Sequence, residues 1–424
     1  MSKILILTDF YHPKPLANGI CIHEIALSLK QQGFEVHVLC YGEHQRFSEE
    51  DQGIFIHYVK GRFFYKLREY GENNINNFKG KVAYKSAMLI NKFKKVVLFP
   101  YFPLTSPLFL FRYWKKAKEI HKENNFRLIL SVFNPLEALI TGMLIKKRDS
   151  SVRFGVYILD SLTNGVKRKY ISKSKTEEKG WKWEKKIFNY ADKIFIMKSH
   201  ENHHKQPRYD IYKDKMETVD IPLFKNFTEF MPQGEKTIKE KDKDCIDFTY
   251  TGELTIVGRN PEYLCSTFLE LTKNNNCKLH FYTRGNAESL IRKYSDIAFG
   301  KIIRYGYVAR EDAVKAIVTS DILVSIGNEG SDMIPSKIFE YMSTGNKIIH
   351  FYKNTNDSCI FYYKKYPNAL LINENNADEE NIKLINEFMY SKKNNVSYSE
   401  LKEKFLENTP EYTSKLIINM DRFK

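Results

Sequence analysis

The chain of 424 residues has few cysteines and lacks any uninterrupted apolar run of about 20 residues. Its six cysteines show no paired spacing that suits a metal site, and a reduced compartment fits best: Cys21, Cys40, Cys245, Cys265, Cys277 and Cys359. The amino terminus lacks a signal-peptide pattern, since residues 3–9 have the character of a short strand and acids follow soon after. We therefore expect a cytoplasmic protein without a membrane-spanning helix.

The charge balance is strongly basic, with 67 Lys and Arg against 51 Asp and Glu, which leaves a formal net charge of +16. Such a balance favours anionic partners: nucleic acid, anionic lipid or phosphate-bearing substrates. The basic residues are scattered, and no recognised nucleic-acid motif is present, so no nucleic-acid partner is expected. A hydrophobic content of 42% and this length predict two or three domains with real cores.

The pattern of strands and helices predicts two α/β halves. The first half opens with a strand at 4–8, a helix at 20–32 ended by Gly33, and a strand at 35–40, as in a doubly wound sheet. Further strands are predicted at 127–132, 153–159 and 192–197. The second half alternates strands at 247–250, 278–282, 302–305 and 322–326 with helices at 261–273 and 311–318. A final helix is predicted to start at Pro410 and to end near Met420.

The loop after the first predicted strand ends at Asn18 and Gly19, directly before the predicted helix. Backbone N–H groups at such a junction lie beside a helix N-terminus and suit an anion. The three-glycine dinucleotide fingerprint is missing, so a nicotinamide cofactor is not favoured. The alternative is a tight turn between strand and helix that binds no ligand.

Residues 332–351 predict a loop, a short helix at 335–344 and a buried strand. Pro335 suits the first helical position, and Gly345 suits the left-handed residue after a helix end. A helix N-terminus at the end of an α/β strand suits a diphosphate, and an acid within it, Glu340, suits sugar hydroxyls. The alternative is an ordinary α/β helix with solvated acids.

This stretch resembles the donor-binding signature of GT-B glycosyltransferases, specifically glycosyltransferase family 4. That family carries two acids eight positions apart, with the second acid five residues before a glycine. Here Asp332, Glu340 and Gly345 have that spacing, with Asp where the family usually has Glu. In the opening loop Gly19 matches the family, and Asn18 replaces the usual first glycine.

The resemblance implies a role for each matched residue. Arg259, just ahead of the helix at 261–273, matches the cation that binds the donor diphosphate, although Glu253 replaces an arginine found after Gly252 in many relatives. Glu340 would bind the ribose, and Asp332 would orient the donor sugar. Asp160, at the end of the strand at 153–159, is a further candidate for a sugar contact. The expected catalytic residues are thus Asp332, Arg259 and Asp160. The remaining implied donor-binding positions are Asn18, Gly19, Gly252, Tyr307, Val308, Ile334, Ser336 and Lys337. Among these, Tyr307 and Val308 belong to the segment whose backbone would meet the nucleobase, and Lys337 would add a second charge at the phosphates.

The implied architecture is two Rossmann-like doubly wound domains facing a cleft, with a last helix that crosses back to the first domain. The expected boundaries are 1–218 for the acceptor-side domain, 219–246 for the linker, 247–395 for the nucleotide-sugar domain and 396–424 for the returning segment. The implied activity is transfer of a sugar from a UDP- or GDP-sugar to a glycan or lipid-linked saccharide. Family members are typically retaining, and neither a metal nor a cofactor is expected; bacterial surface-polysaccharide assembly is the favoured role.

Three alternatives remain open at the level of sequence. One is a nucleic-acid-binding protein, which the basic charge would favour. Another is a non-catalytic subunit that keeps the fold and binds a nucleotide sugar without turnover, since Asp332 and Glu253 depart from the family pattern. The third is a GT-B sugar-nucleotide epimerase, which would release free nucleotide with no acceptor present.

Residues 60–118 carry an excess of basic and aromatic residues around an apolar run at 96–111. Pro100, Pro103 and Pro107 interrupt this run, so it cannot span a membrane. Basic residues beside exposed apolar ones suit the surface of an anionic membrane, which predicts peripheral contact at the inner face of the cell membrane. The alternative is that the run packs inside the first domain before a helix that starts near residue 107.

Overall fold

The structure is a computed structural model that describes residues 2–11, 17–42, 48–60, 63–75, 77–97, 101, 103–104, 106–159, 161–163, 172–226, 244–329 and 334–420. The chain divides into two units, Met1–Pro222 with Pro410–Lys424, and Leu223–Thr409. Two of the expected catalytic residues, Asp160 and Asp332, lie outside the described residues, as do residues 227–243 of the expected linker. Among the described helices, none combines the length and apolar character needed to cross a membrane.

The first domain is built on an eight-stranded sheet with the strand order β3-β4-β2-β1-β5-β6-β7-β8, parallel except where β3 meets β4. Continuous apolar runs form its central strands because helices cover both faces; Ile4, Leu5, Ile6 and Leu7 of the first strand are fully buried. The elements, in chain order, are β1 Lys3–Leu7, α1 Ala17–Gln31, β2 Glu35–Gly42, β3 Ser48–Asp51, β4 Ile54–Lys60, α2 Phe63–Asn73, α3 Phe78–Val97, α4 Pro107–Asn124, β5 Leu128–Phe133, α5 Leu136–Arg148, β6 Arg153–Ile158, α6 Lys173–Tyr190, β7 Lys193–Met197, α7 Glu201–His204 and β8 Met216–Val219.

The second domain is built on a six-stranded, wholly parallel sheet with the order β11-β10-β9-β12-β13-β14. Its core is a cluster of buried apolar side chains from the strands and from the helices packed on them. The elements are β9 Ile246–Glu253, α8 Glu262–Thr272, β10 Cys277–Arg284, α9 Glu288–Ile297, β11 Ile302–Arg304, α10 Arg310–Thr319, β12 Ile322–Ile326, α11 Lys337–Ser343, β13 Lys347–Tyr352, α12 Ser358–Tyr363, β14 Ala369–Asn373, α13 Asp378–Tyr390 and α14 Tyr398–Lys404.

The last helix, α15 (Pro410–Asn419), belongs to the first domain. The hydroxyl of its Ser414 lies 2.8 Å from the hydroxyl of Ser28 in α1, and Ile417 joins the apolar core formed by the first strands. This confirms the predicted return of the final helix to the first domain. The helix α14, inside the expected segment 396–424, belongs to the second domain instead.

Two local expectations need correction. The first helix begins at Ala17, so Asn18 and Gly19 lie in its first turn and not in a preceding loop. The helix predicted at 335–344 begins only at Lys337, because the N–H of Ile338 bonds to the carbonyl of Pro335 at 3.2 Å in a tighter i to i+3 turn. Gly345 does follow that helix in the left-handed region, with a φ of 71°.

The apolar run at 96–111 fits neither alternative alone. The helix α4 starts at Pro107 as expected, with Ser106 as its N-cap. Phe109 packs into the core, as the packing alternative predicts, but Leu108 and Phe111 are exposed, as the surface alternative predicts. Residues 98–100, 102 and 105 lie outside the described residues.

Candidate functional site

The carboxyl ends of β9 and β12 lie side by side in the second sheet, where parallel α/β sheets hold their ligands. The loops that follow these two strands are joined by a backbone hydrogen bond of 2.8 Å from the N–H of Glu329 to the carbonyl of Gly258. The loop after β12 is also tied to β13, because the N–H of Gly327 bonds to the carbonyl of Phe351 at 2.8 Å. The backbone beside Arg259, the predicted diphosphate-binding cation, is therefore tied to the loop after β12, which is itself tied to β13.

The guanidinium of Arg259 is held in place by the ends of both strands. Its Nε donates to Oδ1 of Asn328 at 2.6 Å, and Nη1 contacts the carbonyl oxygen of Glu253 at 3.5 Å. The loop that carries it is closed by a 3.2 Å hydrogen bond from the N–H of Thr255 to the carbonyl of Arg259. A planar guanidinium fixed through Nε keeps a fork of N–H donors for a bidentate anion such as a phosphate.

The second predicted cation, Lys337, lies next to the predicted ribose acid. Its Nζ is 2.6 Å from Oε2 of Glu340, and Arg310 reaches the other oxygen of the same carboxylate at 3.2 Å. Burial alone would raise the pKa of Glu340, but Lys337 and Arg310 outweigh it and hold the pKa below its ordinary value. Glu340 is therefore a buried carboxylate between two cations, and Lys337 is already engaged with it.

The short helix α11 is anchored to the end of β9 by a buried tyrosine. The hydroxyl of Tyr341 accepts a hydrogen bond from the N–H of Thr251 at 2.8 Å and lies 3.1 Å from its Oγ1. The next residue, Gly252, has a φ of 133°, a conformation that side-chain-bearing residues rarely adopt. Tyr341 follows Glu340 in the chain, and Thr251 precedes Gly252. The hydrogen bond between Tyr341 and Thr251 therefore positions Glu340 relative to Gly252.

The predicted nucleobase segment lies close to the same helix. Tyr307 is exposed and carries the guanidinium of Arg284 over its ring at 5.5 Å, while Val308 is half-buried. Arg310 follows at the start of α10 and makes the ion pair with Glu340, which joins this segment to α11. Ile334 and Ser336, directly before α11, are half-buried.

Sequence reasoning missed Asn328 and Arg310, which position Arg259 and Glu340. Asn328 lies two residues beyond β12, at a strand end where polar residues often serve ligands, so that rule would have selected it. Arg310 carries no comparable signal, because its partner is 30 positions away and only the fold brings them together.

A third missed residue, Asp9, follows β1 at the carboxyl edge of the first sheet. The strand β1 lies between β2 and β5, the point where the strand order reverses and where such sheets place ligands. Burial raises the pKa of Asp9 to about 7, against the opposing effect of backbone N–H groups at Asp9 and Phe10. A carboxyl group that titrates near neutrality at such an edge suits contact with an acceptor hydroxyl. Asn18 and Gly19 belong to this same domain.

A buried carboxylate also organises the loop after β6. Glu184 is fully buried in α6 and accepts hydrogen bonds from the N–H of Leu162 at 2.8 Å and from the hydroxyl of Tyr209 at 2.7 Å. Burial raises its pKa despite these bonds. His203 lies 2.6 Å from the hydroxyl of Thr163, which shares this network. The network fixes residues 161–163, immediately after the expected site residue Asp160.

One group among the described residues has metal-ligand chemistry: His350, Asp357 and Cys359, whose ligand atoms lie within 4.8 Å of one another. Asp357 also caps α12 by accepting from the N–H of Cys359 at 2.8 Å, and its carboxylate is 3.4 Å from Nε2 of His350. Burial raises the pKa of the Cys359 thiol well above its ordinary value, and a protonated thiol is a poor ligand. We interpret the group as internal packing and capping.

Comparison with known proteins gives similarity of structure alone. No protein-family model matches the chain, and no curated protein matches its sequence. The N-terminal domain of Candida albicans trehalose-6-phosphate phosphatase is 13% identical with a TM-score of 0.64, covering 100% of this chain and 97% of that one. A trehalose-6-phosphate synthase studied for glycosyl transfer with retention is 10% identical with a TM-score of 0.60, covering 99% of both chains.

A UDP-N-acetylglucosamine 2-epimerase from Listeria monocytogenes, described as putative, is 12% identical with a TM-score of 0.55, covering 99% of this chain and 96% of that one. At such low identity the similarity concerns the fold and does not extend to activity. These neighbours, together with two parallel α/β domains and a returning last helix, show that the chain has the GT-B fold.

Proposed function

We propose that the protein is a glycosyltransferase that takes a sugar from a UDP- or GDP-sugar. The observation that carries the proposal is the fixed guanidinium of Arg259 at the carboxyl edge of the second sheet, held by Asn328 and the carbonyl of Glu253. The buried carboxylate of Glu340 lies at the same edge, on α11 anchored to the end of β9. An oriented cation and an oriented acid are the groups needed for a diphosphate and a ribose.

The chemistry follows from where charge develops during transfer. Departure of the nucleoside diphosphate builds negative charge on the oxygen that leaves the sugar. Arg259 would stabilise that charge through its Nη groups, without reorganisation, because Asn328 already fixes its plane. The helix α11 has only seven residues and begins after a tighter turn, so we assign the diphosphate to Arg259 and not to the helix end.

Glu340 would bind the ribose hydroxyls as a carboxylate, the form that Lys337 and Arg310 favour. Tyr307 and Val308 would face the base, and Asp332 would orient the donor sugar, as the family resemblance implies. Transfer with retention and without a metal ion is part of the same proposal; support for retention is the family resemblance. Asp9, at the edge of the first sheet, is the group we assign to the acceptor side.

The acceptor in this proposal is a glycan or a lipid-linked saccharide used in surface-polysaccharide assembly. A lipid-linked acceptor would place the protein in the cytoplasm, at the inner face of the cell membrane, with peripheral contact through residues 60–118. Support for this location is the net charge of +16 and the exposed apolar residues of that segment.

The donor site is tested by thermal-shift measurements with UDP, GDP, ADP and CMP on the wild type, Glu340→Gln and Arg292→Ala. Arg292 is an exposed residue of α9 and serves as a control for the loss of a charged group. We expect one diphosphate to raise the melting temperature of the wild type and of Arg292→Ala, and to lose most of that effect in Glu340→Gln. No shift with any nucleotide would contradict the proposed donor site.

A second candidate function is a sugar-nucleotide epimerase, which the structural similarity to the UDP-N-acetylglucosamine 2-epimerase favours. Both activities use a nucleotide-sugar site, so nucleotide binding does not separate them. Incubation with the preferred UDP- or GDP-sugar and no acceptor does. An epimerase would release free nucleotide or form an isomeric sugar at catalytic rates, whereas the proposed transferase would need an added acceptor.

A further inference from the structure

Exposed apolar side chains of the first domain concentrate in one segment. Of the twelve large hydrophobic residues that are exposed in its described part, ten lie between Tyr70 and Phe111. Scattered single residues of this kind are normal on protein surfaces, but a concentration marks a contact surface. Residues 70–111 therefore have the character of a contact surface.

The helix α3 carries the densest part of this segment on one face. Phe78, Leu89 and Phe93 are 81%, 69% and 70% exposed, and Val82 is 46% exposed. At 100° per residue, these four positions fall within an arc of about 60° on the helix surface. Ala83 and Ala87 lie opposite and are buried. The exposed stripe is thus the free side of a helix whose other side is already packed.

The packed side of α3 lies against α2. Gly71 of α2 sits where any Cβ would collide with the backbone of Tyr84, and Gly80 of α3 has the same relation to the backbone of Asn74. The N–H of Gly80 is held by the side chain of Asn77 at 2.7 Å. This close packing fixes the orientation of α3 and directs its apolar stripe outward.

Lysines border the stripe along one flank. Lys81, Lys85 and Lys92 are exposed and fall within about 60° of its edge. The twenty residues of α3 include six lysines and no acid. On α4, Leu108 and Phe111 are exposed with Arg112 and Lys115 one turn further along, so the same combination recurs in the domain.

We propose that this α3 face docks on an anionic lipid bilayer, with the helix lying in the plane of the interface. Its four apolar side chains would enter the boundary between headgroups and acyl chains, and the flanking lysines would meet acidic headgroups. A second copy of the chain is a poorer occupant, because an antiparallel two-fold pairing of this face would bring lysines against lysines. This assignment rests on the proposed location at the inner face of the cell membrane, and it names the α3 face as the contact surface and anionic lipid as its partner.

The test is co-sedimentation of the full chain with vesicles of phosphatidylglycerol and phosphatidylcholine, compared with vesicles of phosphatidylcholine alone. One variant combines Phe78→Ser, Leu89→Ser and Phe93→Ser, and the other combines Lys81→Glu, Lys85→Glu and Lys92→Glu. The matched controls are Ile211→Ser, which changes an exposed apolar residue elsewhere in the domain, and the combination Lys173→Glu, Lys175→Glu and Lys185→Glu on α6.

We expect the wild type to bind only the anionic vesicles, less at high salt, and each α3 variant to lower the bound fraction at least about fivefold. The controls should stay within about twofold of the wild type. Equal binding to phosphatidylcholine alone, or an equal loss in the controls, would overturn the proposal. A wild-type dimer that the apolar variant converts to a monomer would also overturn it, in favour of a self-interface.

Vesicle binding needs no nucleotide, so the membrane surface and the proposed donor site can each be refuted without refuting the other. The thermal shift produced by UDP or GDP should be the same in the α3 variants as in the wild type. A normal nucleotide shift with no vesicle binding would refute only the membrane surface. Vesicle binding without any nucleotide shift would refute only the donor site.

Discussion

The Nε of Arg259 donates a hydrogen bond to Oδ1 of Asn328 at 2.6 Å, although 69 positions separate the two residues in the chain. The bond links the loops after β9 and β12, the two strands whose carboxyl ends are adjacent in the second sheet. It fixes the plane of the guanidinium, whose Nη1 also contacts the carbonyl oxygen of Glu253 at 3.5 Å, and so orients the fork of Nη donors. In the proposed donor site, this contact makes a loop arginine an oriented hydrogen-bond donor to phosphate.

Replacement of Asn328 should weaken nucleotide binding without disturbing the fold. Asn328→Ala removes the bond to Nε and lets the guanidinium rotate, so the Kd for the preferred nucleoside diphosphate should rise about tenfold. Asn328→Asp should raise it further, because a carboxylate beside Arg259 competes with phosphate. Isothermal titration calorimetry measures both, with Asn386→Ala as the control for loss of an amide hydrogen bond on α13. Unchanged affinity in Asn328→Ala would show that Arg259 needs no such support.

Glu340→Gln should lower stability near neutral pH by about 1–3 kcal/mol, because it leaves Lys337 and Arg310 without their shared carboxylate. The cations hold the folded pKa of Glu340 below its ordinary value of 4.5. Its contribution is therefore fully present above that ordinary value and is lost as the pH falls through the lower folded value.

Urea unfolding of the wild type and Glu340→Gln at pH 7 and at about pH 3 measures this difference. The difference in the free energy of unfolding between the wild type and Glu340→Gln should narrow on acidification. Glu403 is an exposed acid on α14, and Glu403→Gln should not differ from the wild type in this way. A gap that is the same at both pH values would contradict the ion-pair account.

Asp9 should make the first domain less stable as the pH rises. Its pKa is raised from 3.8 to about 7 by burial, so the folded state holds a proton that the unfolded chain has already lost. Stability from this group is present below about pH 4 and is lost as the pH rises through about 7. Asp9→Asn does not titrate, and should be more stable than the wild type at pH 8.5 by on the order of 1–3 kcal/mol.

Thermal unfolding of the wild type and Asp9→Asn at pH 5.5 and pH 8.5 checks the sign. The advantage of the variant should grow with pH. If the stability of Asp9→Asn relative to the wild type is the same at pH 5.5 and pH 8.5, the Asp9 carboxyl group is ionised at both and does not titrate near neutral pH.

Tyr341→Phe tests whether the Tyr341 hydroxyl anchors α11, beyond the loss of stability that follows removal of any buried hydroxyl. The change removes the bond to the N–H of Thr251 and should cost about 1 kcal/mol of stability. It should also weaken nucleotide binding, because α11 carries Glu340. Tyr366→Phe is the matched control, since that buried hydroxyl donates to the carbonyl of Asn346 at 2.7 Å. Equal nucleotide affinity in the two variants would contradict the anchoring role.

Much of the fold could be predicted from local patterns, because parallel strands and their helices are marked by apolar runs, glycine stops and helix caps. The strands at 4–8 and 322–326 and the start of the last helix at Pro410 were predicted within a residue of their positions. Helix starts follow less directly from local pattern, because Pro335 fits a first helical position but the tighter turn that follows delays α11 to Lys337.

The site could be predicted only in part. Arg259 and Glu340 carry spacing signals, and the structure gives each a set of oriented partners. Of those partners, Asn328 could have been selected by its place two residues beyond β12, whereas Arg310 meets Glu340 only through the fold, so no local pattern predicts it. The neutral-range pKa of Asp9 likewise follows from burial, which depends on tertiary packing.

The most direct test of the account is calorimetric titration of UDP and GDP into the wild type, Arg259→Ala and Arg292→Ala. We expect one diphosphate to bind the wild type and Arg292→Ala alike, and to bind Arg259→Ala at least about tenfold more weakly. Equal affinity in Arg259→Ala and the wild type, or no binding of either nucleotide to the wild type, would contradict the assignment of the second sheet edge as the donor site.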